Sequence, residues 1–255
     1  MSTRKSELTQ LLTQKELNAS GFLRAASTYE TFQSNPVTAA VAGGAASGTA
    51  GVANVMAFEQ TVFEYAALGT QTITAPSITA AGLNIGMDQT DNDGMQMGHG
   101  ITSRSKHAYT IGTTPDFFIR AKFTIAVVAG TDDCAIGFRK TGAYAGNIDD
   151  YTDMATLNVI SGDIKIETIL NNAATVTTDT TQNWANTETH TLEVKVSQTG
   201  VVTYLIDGLP PTVTAAYTFD SGDVVVPFFF FLNANAAQAG IVPFSEWQVG
   251  LERNR

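Results

Sequence analysis

The chain has almost no cysteine and no long apolar run, and each shortage excludes a class of protein. Cys134 is the only cysteine among 255 residues, so an intrachain disulfide and a cysteine-based zinc site are both excluded. No segment approaches the ~18 consecutive apolar residues that a membrane-spanning helix needs. The N-terminus also lacks the apolar stretch of a secretory signal, so we expect a soluble protein that is made in the cytoplasm.

Positive charge is scarce as well. Lys and Arg total 14 against 24 Asp and Glu, which gives a net charge of −10. Nucleic acid and anionic membranes both select basic surfaces, so we expect neither as a partner. Only 15% of the residues are charged, whereas 44% are hydrophobic and 22 are glycine. This composition favours a sheet protein with many turns over a charged helical bundle.

The clearest local pattern in the chain begins at residue 189. Residues 189–196 alternate apolar and polar side chains, which is the period of a strand with one buried face. A short polar connection ends at Gly200, and residues 201–206 are again β-branched or aromatic. The pattern predicts a β-hairpin whose second strand ends at a turn formed by Asp207 and Gly208.

The second strand of this hairpin, with its V-x-Y-x-I-D-G-x-x-P motif, resembles the late hairpin of the concanavalin A-like (laminin G-like) jelly rolls. Residues 117–123 and 135–139 resemble early strands of that fold, and residues 245–251 resemble its closing strand. The likeness covers roughly residues 58–252 and implies an all-β fold, an antiparallel β-sandwich. With its acidic segment, DQTDNDG at residues 88–94, and its long N-terminal arm, residues 1–55, the chain is similar to the capsid decoration (cement) proteins of tailed-phage virions.

Composition divides the chain into an extended N-terminal arm, residues 1–55, and a jelly-roll body, residues 56–255. Residues 6–26 have the apolar spacing of a short amphipathic helix. Residues 35–53 are almost all small and cannot form a core. They are interpreted either as a flexible linker or as an arm that becomes ordered on a neighbouring subunit. The partner-binding candidates on the arm are Leu8, Leu11 and Leu12.

Residues 224–232, with the sequence VVVPFFFFL, are apolar on both faces of the predicted strand. In a two-layer sandwich one face of each strand normally meets water, so the outer face here needs a cover. A loop, the arm or another subunit would provide it. We therefore predict that Phe228 and Phe230 bind a partner and that the protein is a homo-oligomer. Pro227 donates no ladder hydrogen bond and predicts a bulge or an edge position.

Two acidic segments raise the question of a calcium site. Residues 88–94, DQTDNDG, fail the EF-hand template at Gln89 and at Gly100, so a structural turn is the preferred interpretation. Residues 147–153 form a second acidic loop, and oxygen ligands from the two loops would converge only if the sandwich brought them together. Calcium is the only cofactor considered. Its candidate ligands are Asp88, Asp91, Asp93, Asp149, Asp150 and Asp153.

Catalytic motifs are missing from the sequence. Glycoside hydrolases with this fold carry paired carboxylates on an E-x-D-x-x-E strand, and no such run exists here. Glu246 stands alone and is expected to face solvent. His99, His107 and His190 are scattered and are expected at the surface or in turns, while Trp184 is expected to anchor the core or an edge. We therefore predict no catalytic residues and no enzymatic activity.

Two functions without catalysis remain open. The first is a capsid decoration protein on the virion surface, synthesised in the host cytoplasm, which binds the major capsid protein and stabilises the head shell. The resemblance implies a trimer for this function. The alternative is a glycan-binding, lectin-like module of a tail fibre or another appendage. The long arm favours the first function. Tyr144, Tyr151 and Trp184 would favour the second if they gathered at one end of the sandwich with calcium.

Overall fold

The computed structural model of the chain describes residues 28–31, 54–57, 62–70, 77–79, 82–84, 90–234 and 242–252. Their regular structure is almost entirely β, with two single-turn 3-10 helices and no helix long and apolar enough to cross a membrane. The strands are β1 (Thr28–Thr31), β2 (Asn54–Ala57), β3 (Val62–Leu68), β4 (Ser77–Thr79), β5 (Gly82–Asn84), β6 (Gly94–Gly98), β7 (Tyr109–Thr110), β8 (Phe117–Thr124), β9 (Thr131–Lys140), β10 (Met154–Ile160), β11 (Asp163–Ile169), β12 (Val176–Asn183), β13 (Thr189–Val196), β14 (Val202–Ile206), β15 (Val224–Asn233) and β16 (Phe244–Leu251).

The strands form two sheets. The seven-stranded sheet has the order β14-β13-β8-β16-β5-β4, with β1 also paired to β16. The nine-stranded sheet has the order β12-β11-β10-β9-β15-β6-β3-β2, with β7 also paired to β15. Each pairing is antiparallel, which confirms the predicted antiparallel β-sandwich.

The hairpin predicted at residues 189–206 is present as β13 and β14. Val194 lies opposite Tyr204, and the ladder runs from Leu192–Ile206 to Val196–Val202. The turn that follows β14 uses positive φ angles, 51° at Asp207 and 81° at Gly208, as a tight D-G turn requires. The residues of this hairpin and of β16 that face the core are buried: Leu192, Val194, Val196, Tyr204, Ile206, Trp247 and Val249.

The main core lies between the two sheets and is rich in aromatic rings. Phe123, on β8, stacks on Trp184 with ring centres 4.8 Å apart and also contacts Phe229 of β15 at 6.2 Å. Trp184 is 2% exposed, which confirms the prediction of an anchor. Large rings bury much apolar area per residue, so a chain with few charges can hold two sheets together in this way.

Strand β15 lies inside the nine-stranded sheet, between β9 and β6. The prediction that Pro227 marks an edge or a bulge is therefore wrong, since its register with Phe138 is regular and the irregularity of this ladder lies at Leu232 and Asn233. On the other side of β15, strand β7 pairs with Val224 and Val225, and β6 pairs only from Phe228 onward. Proline is tolerated because it sits where one neighbouring strand has ended and the next begins.

Two strands, β6 and β12, have only weak signals in the sequence. Strand β6 is flanked by turn-forming residues, yet Met95 and Met97 point into the core. Gly94 is required there, because a Cβ at this position would lie 1.9 Å from the carbonyl oxygen of Phe231. Strand β12 is polar and rich in threonine because it is the outermost strand of its sheet and most of its residues are exposed.

The predicted arm contributes a strand to the body. Thr28 to Thr31 pair with Val249 to Glu246 along β16, and Asn54 to Ala57 form β2 in the other sheet. These short segments join the sheets through their backbones, since backbone pairing to a strand edge needs no large side chains. The predicted helix at residues 6–26 and the candidates Leu8, Leu11 and Leu12 lie outside the described residues.

Candidate functional site

The outer face of the nine-stranded sheet, which points away from the main core, carries its polar groups. On β9, Cys134, Ile136 and Phe138 belong to the main core, while Asp133 and Arg139 alternate with them and point outward. Outward residues of the neighbouring strands continue this face and include Gln96, Asn158, Glu167, Phe228 and Phe230. The period of two along each strand places polar and aromatic groups side by side here.

The middle of the outer face is apolar and is covered by the chain itself. Phe228 and Phe230 are 2% and 0% exposed. They belong to a second hydrophobic cluster that includes Ile148 and Tyr151 from the loop between β9 and β10. The prediction that Phe228 and Phe230 bind a partner is therefore wrong, because a loop of the same chain provides the cover that the sequence pattern demanded.

Gln96 of β6 attaches this loop, residues 141–153, to the sheet. Its side-chain nitrogen donates a hydrogen bond to the carbonyl oxygen of Ala145 at 2.7 Å. Its side-chain oxygen accepts a hydrogen bond from the hydroxyl of Tyr151. Both bonds are sheltered from water, since Gln96 is 1% exposed and Tyr151 is 6% exposed. The loop is therefore a fixed part of the outer face.

Beside this apolar patch lies a buried arginine. Arg139 is 1% exposed, and its guanidinium carbon lies 4.4 Å from the ring centre of Tyr151 and 5.6 Å from that of Tyr144. One terminal nitrogen donates to the carbonyl oxygens of Lys140 at 3.2 Å and Gly142 at 3.1 Å. Burial lowers the pKa of Arg139, and the two tyrosines oppose that effect.

Two buried carboxylates lie on the other side of the patch. The side-chain nitrogen of Asn158 donates to Asp133 at 2.6 Å and to Glu167 at 2.7 Å. Asp133 and Glu167 are 7% and 5% exposed. Burial raises the pKa of Asp133 to about 7 and also raises the pKa of Glu167. The sequence showed no such pair because the two residues come from different strands, β9 and β11, and meet through Asn158 on the strand between them.

The first acidic segment is a structural turn wherever the structure describes it. One oxygen of Asp93 accepts from the backbone nitrogen of Thr70 at 2.6 Å, and the other accepts from its hydroxyl at 2.8 Å. Asp91 is exposed, and Asp88 lies outside the described residues. The carboxylate of Asp93 thus joins this turn to the end of β3.

The second acidic loop is occupied by hydrogen bonds and ion pairs within the protein. Asp149 accepts from the hydroxyl of Thr175 at 2.5 Å, and Asp150 is exposed. Asp153 accepts from the backbone nitrogen of Asn171 at 2.9 Å and lies 3.6 Å from the ammonium of Lys140. Among the described residues no three acidic, histidine or cysteine side chains meet in a metal-binding group, so these aspartates do not converge with Asp91 and Asp93 there.

The three histidines were expected at the surface or in turns; His107 does lie in a turn, but both His99 and His107 are buried. His99 and His107 are 7% and 0% exposed, and the indole nitrogen of Trp247 donates to His99 at 2.8 Å. Burial lowers the pKa of His107 to about 3, so its ring is neutral.

Glu246, which was expected to face solvent, is half-buried, and its carboxylate lies 4.0 Å from the ammonium of Lys122.

The third histidine, His190, contributes to a pocket. Its two ring nitrogens lie 2.6 Å from a carboxylate oxygen of Asp207 and 3.2 Å from one of Glu188. Burial opposes protonation of the ring, but the hydrogen bonds to both carboxylates outweigh it and raise the pKa of His190. The pocket has a volume of about 300 Å³ and is lined by Ile164, Gln182, Asn183, His190, Ile206, Asp207 and Leu209.

The aromatic residues that would have favoured a glycan platform are not gathered together. Tyr144 and Tyr151 lie with Arg139 on the outer face, whereas Trp184 lies in the core against His190, with ring centres 4.7 Å apart. Trp184 and Tyr151 are almost fully buried. No exposed stacking surface is formed by these three rings.

Comparisons with known proteins identify the fold. No family model and no curated protein matches the chain. An alginate lyase from Pseudomonas aeruginosa aligns with a TM-score of 0.50 at 12% identity, over 72% of this chain and 95% of that chain. The carbohydrate recognition domain of Emp46p aligns at 0.47 with 10% identity, over 72% and 87%. A carbohydrate esterase of the Shiga toxin-encoding bacteriophage phi24B aligns at 0.41 with 11% identity, over 74% and 90%. At such identities the likeness concerns the fold, which is a concanavalin A-like jelly roll.

Proposed function

We propose that this chain is a structural, non-enzymatic protein of a tailed-phage virion, namely a capsid decoration protein on the outer surface of the head. Its partner in this proposal is the major capsid protein, bound through the N-terminal arm and the sandwich body. The observation that carries the proposal is the pairing of β1 with β16 over four consecutive positions.

The pairing of β1 with β16 is an example of strand addition, which is the means by which the arm attaches to the capsid in this proposal. Strand addition uses backbone hydrogen bonds, so a segment of small residues is able to make it with any exposed strand edge. Residues 32–53, which connect β1 to β2, are mostly Ala, Gly, Ser, Thr and Val. A chain of this composition gains little from folding on itself. Backbone hydrogen bonds to a strand edge of a second protein offset the cost of ordering such a chain.

The arm is tested with two truncations and heads that lack this protein. Deletion of residues 2–50 removes β1, whereas deletion of residues 2–27 removes Leu8, Leu11 and Leu12 but keeps β1. We expect both proteins to keep the circular dichroism of a β-sandwich, because β16 remains paired with β8. Co-sedimentation with heads should be lost after the longer deletion. If that protein decorates heads as tightly as the full chain, the arm has no role in attachment.

The same two truncated proteins show which part of the arm attaches to heads. Binding retained by the shorter deletion would assign attachment to β1 and the small-residue segment. Binding lost by both deletions would assign it to Leu8, Leu11 and Leu12. Particle images that place the full-length protein on tails would contradict decoration of the head.

A second candidate function, glycan binding, is favoured by the pocket around His190. Asp207, Gln182 and Asn183 offer hydrogen-bonding groups there, and Leu209 adds apolar surface that is 68% exposed. Sugar ligands need this combination of polar groups and apolar surface. The body without residues 2–50 should then bind on a glycan array, and Asn183→Ala should weaken that binding. Thr203→Ala, an exposed residue of β14 outside this pocket, is the matched control.

A further inference from the structure

His190 stands between two carboxylates at the edge of the sandwich. Its Nδ1 atom lies 2.6 Å from Oδ2 of Asp207, and its Nε2 atom lies 3.2 Å from Oε2 of Glu188. A neutral imidazole has a single N–H group, so the two contacts together require the doubly protonated, positively charged ring. Burial opposes this charge, but the hydrogen bonds to both carboxylates outweigh it and raise the pKa of His190. The ring packs against Trp184, which carries no charge.

The three side chains are accessible to a ligand. Those of His190, Asp207 and Glu188 are 22%, 49% and 51% exposed. His190 and Asp207 also line the pocket of about 300 Å³ described above, to which Asn183 contributes a carboxamide and Leu209 an apolar surface. Pockets of this volume lie at the small end of those that bind small molecules. A ligand in the pocket therefore meets the carboxylate of Asp207 and the imidazole ring directly.

The other charged side chains near this group have partners of their own. Lys122 acts on Asp207 from the neighbouring strand β8, and its ammonium lies 4.0 Å from the carboxylate of Glu246. Asp163 begins β11, and its carboxylate lies 3.8 Å from the ammonium of Lys165. The local balance is then two carboxylates against one imidazole ring. It leaves one negative charge when the ring is protonated and two when the ring is neutral.

Loss of the ring proton leaves two acceptors that face each other. The neutral ring is able to keep its Nε2–H bond to Glu188, whose Oε2 atom also accepts from the backbone nitrogen of Ala185 at 2.9 Å. Nδ1 then carries a lone pair, and Oδ2 of Asp207 loses its donor. A ligand that supplies both a positive charge and N–H donors restores what the proton provided.

We propose that this pocket binds an amino sugar, whose primary ammonium replaces the proton of His190 and donates to Asp207 and to Nδ1 of the neutral ring. The inference rests on the second candidate function, glycan binding, and names the class of sugar. One proton leaves the imidazolium for the solvent as one ammonium enters, so the net charge of the site is unchanged. A neutral sugar offers hydroxyl donors but no charge, so it leaves His190 protonated.

Calorimetric titration of the full chain with glucosamine and with glucose tests the exchange. The two sugars share a ring, and one carries an ammonium where the other carries a hydroxyl. Titrations at pH 5.5 and 6.5, each in two buffers of different ionisation enthalpy, report the protons released, and the amine stays protonated at both pH values. At pH 6.5 glucosamine should bind at least about tenfold more tightly than glucose. At pH 5.5 it should bind up to about tenfold more weakly than at pH 6.5 and release close to one proton.

Two variants and a control assign the effect to the site. His190→Gln has no proton to release, so it should bind glucosamine equally at both pH values, and more tightly than the unmodified chain at pH 5.5. Asp207→Asn should lose the preference for glucosamine over glucose. It keeps the acceptor for the backbone nitrogen of Thr191, and Asn readily adopts the φ of 51° at this position. Asp163→Asn is the control, because it changes the net charge equally at an acid paired with Lys165 and should bind as the unmodified chain does.

The outcomes separate this inference from glycan binding itself. Equal affinity for glucose and glucosamine without proton release would overturn the exchange and leave glycan binding in the pocket standing. Binding of neither sugar would overturn both. An equal loss of the glucosamine preference in Asp163→Asn would mean that net charge and not the site is responsible. Nα-acetyl-lysine amide binding as tightly as glucosamine would show that the ammonium alone is recognised, which contradicts an amino sugar as the ligand class.

Discussion

Replacing Asp133 by Asn should stabilise the protein at pH 8 and leave its stability unchanged at pH 4. The pKa of Asp133 is raised by burial from its ordinary 3.8 to about 7. A carboxyl group with a raised folded-state pKa contributes most to stability below its unfolded pKa. That contribution is lost as the pH rises toward 7, because the unfolded chain releases the proton first. Asn carries no charge at either pH, so it escapes the loss.

The expected gain is at most about 4 kcal/mol, because the two pKa values differ by about three pH units and each unit corresponds to about 1.4 kcal/mol. The hydrogen bonds allow the exchange. One oxygen of Asp133 accepts from Asn158 at 2.6 Å, and an Asn oxygen is able to take the same bond. Both oxygens of Glu167 are accepting, from Asn158 and from Thr177. Glu167→Gln therefore loses one bond and should gain less.

Urea unfolding at pH 4, 6 and 8 measures these free energies. Asp132→Asn is the matched control, since Asp132 is the exposed neighbour of Asp133 and its replacement changes the net charge equally. An equal gain in the control at pH 8 would mean that net charge and not burial is responsible. A loss of stability for Asp133→Asn at pH 8 would refute the account of a buried, partly protonated pair.

Three further predictions concern the sandwich and its histidines. Val194→Asp should unfold the body, because Val194 is 0% exposed and an unpaired charge in the core costs several kcal/mol; loss of the strand signal in circular dichroism checks this. Trp247→Phe should cost about 1–3 kcal/mol in urea unfolding, since it removes the hydrogen bond to the buried His99. The protonated His190 stabilises the fold below pH 6.5, and this contribution is lost as the pH rises through its raised pKa. His190→Gln should therefore flatten the pH dependence of stability between pH 6 and 8.

The sequence was sufficient to predict the fold where one face of a strand meets the core and the other meets water. The alternation in β13 and the turn at Asp207 follow directly from that condition, and both are present. It was insufficient for β6, where glycine at both ends of the strand resembles a turn. Glycine is needed at Gly94 because the neighbouring backbone approaches closely, which is a property of the assembled sheet and not of the local sequence.

The candidate site was beyond the reach of sequence patterns for a related reason. Asp133, Asn158 and Glu167 lie on three strands and meet only in the sheet register. Arg139 and Tyr144 are close in sequence, but only the fold shows that the arginine is buried and lacks an acidic partner. A motif search detects functional residues at a fixed spacing along the sequence, and neither of these two groups has such a spacing.

The loop that covers Phe228 and Phe230 removes one physical reason to expect a homo-oligomer. The outer face of the nine-stranded sheet was the physical reason to expect association, and the loop of residues 141–153 already covers its phenylalanines. The edge strand β14 is also protected by the chain, because Val202 donates to the carbonyl oxygen of Tyr217 and Ile206 to that of Leu209. The body thus has less need of a second copy than its sequence indicates. A trimer, which remains a prediction, then depends on the arm and on the shell that the arm is proposed to bind.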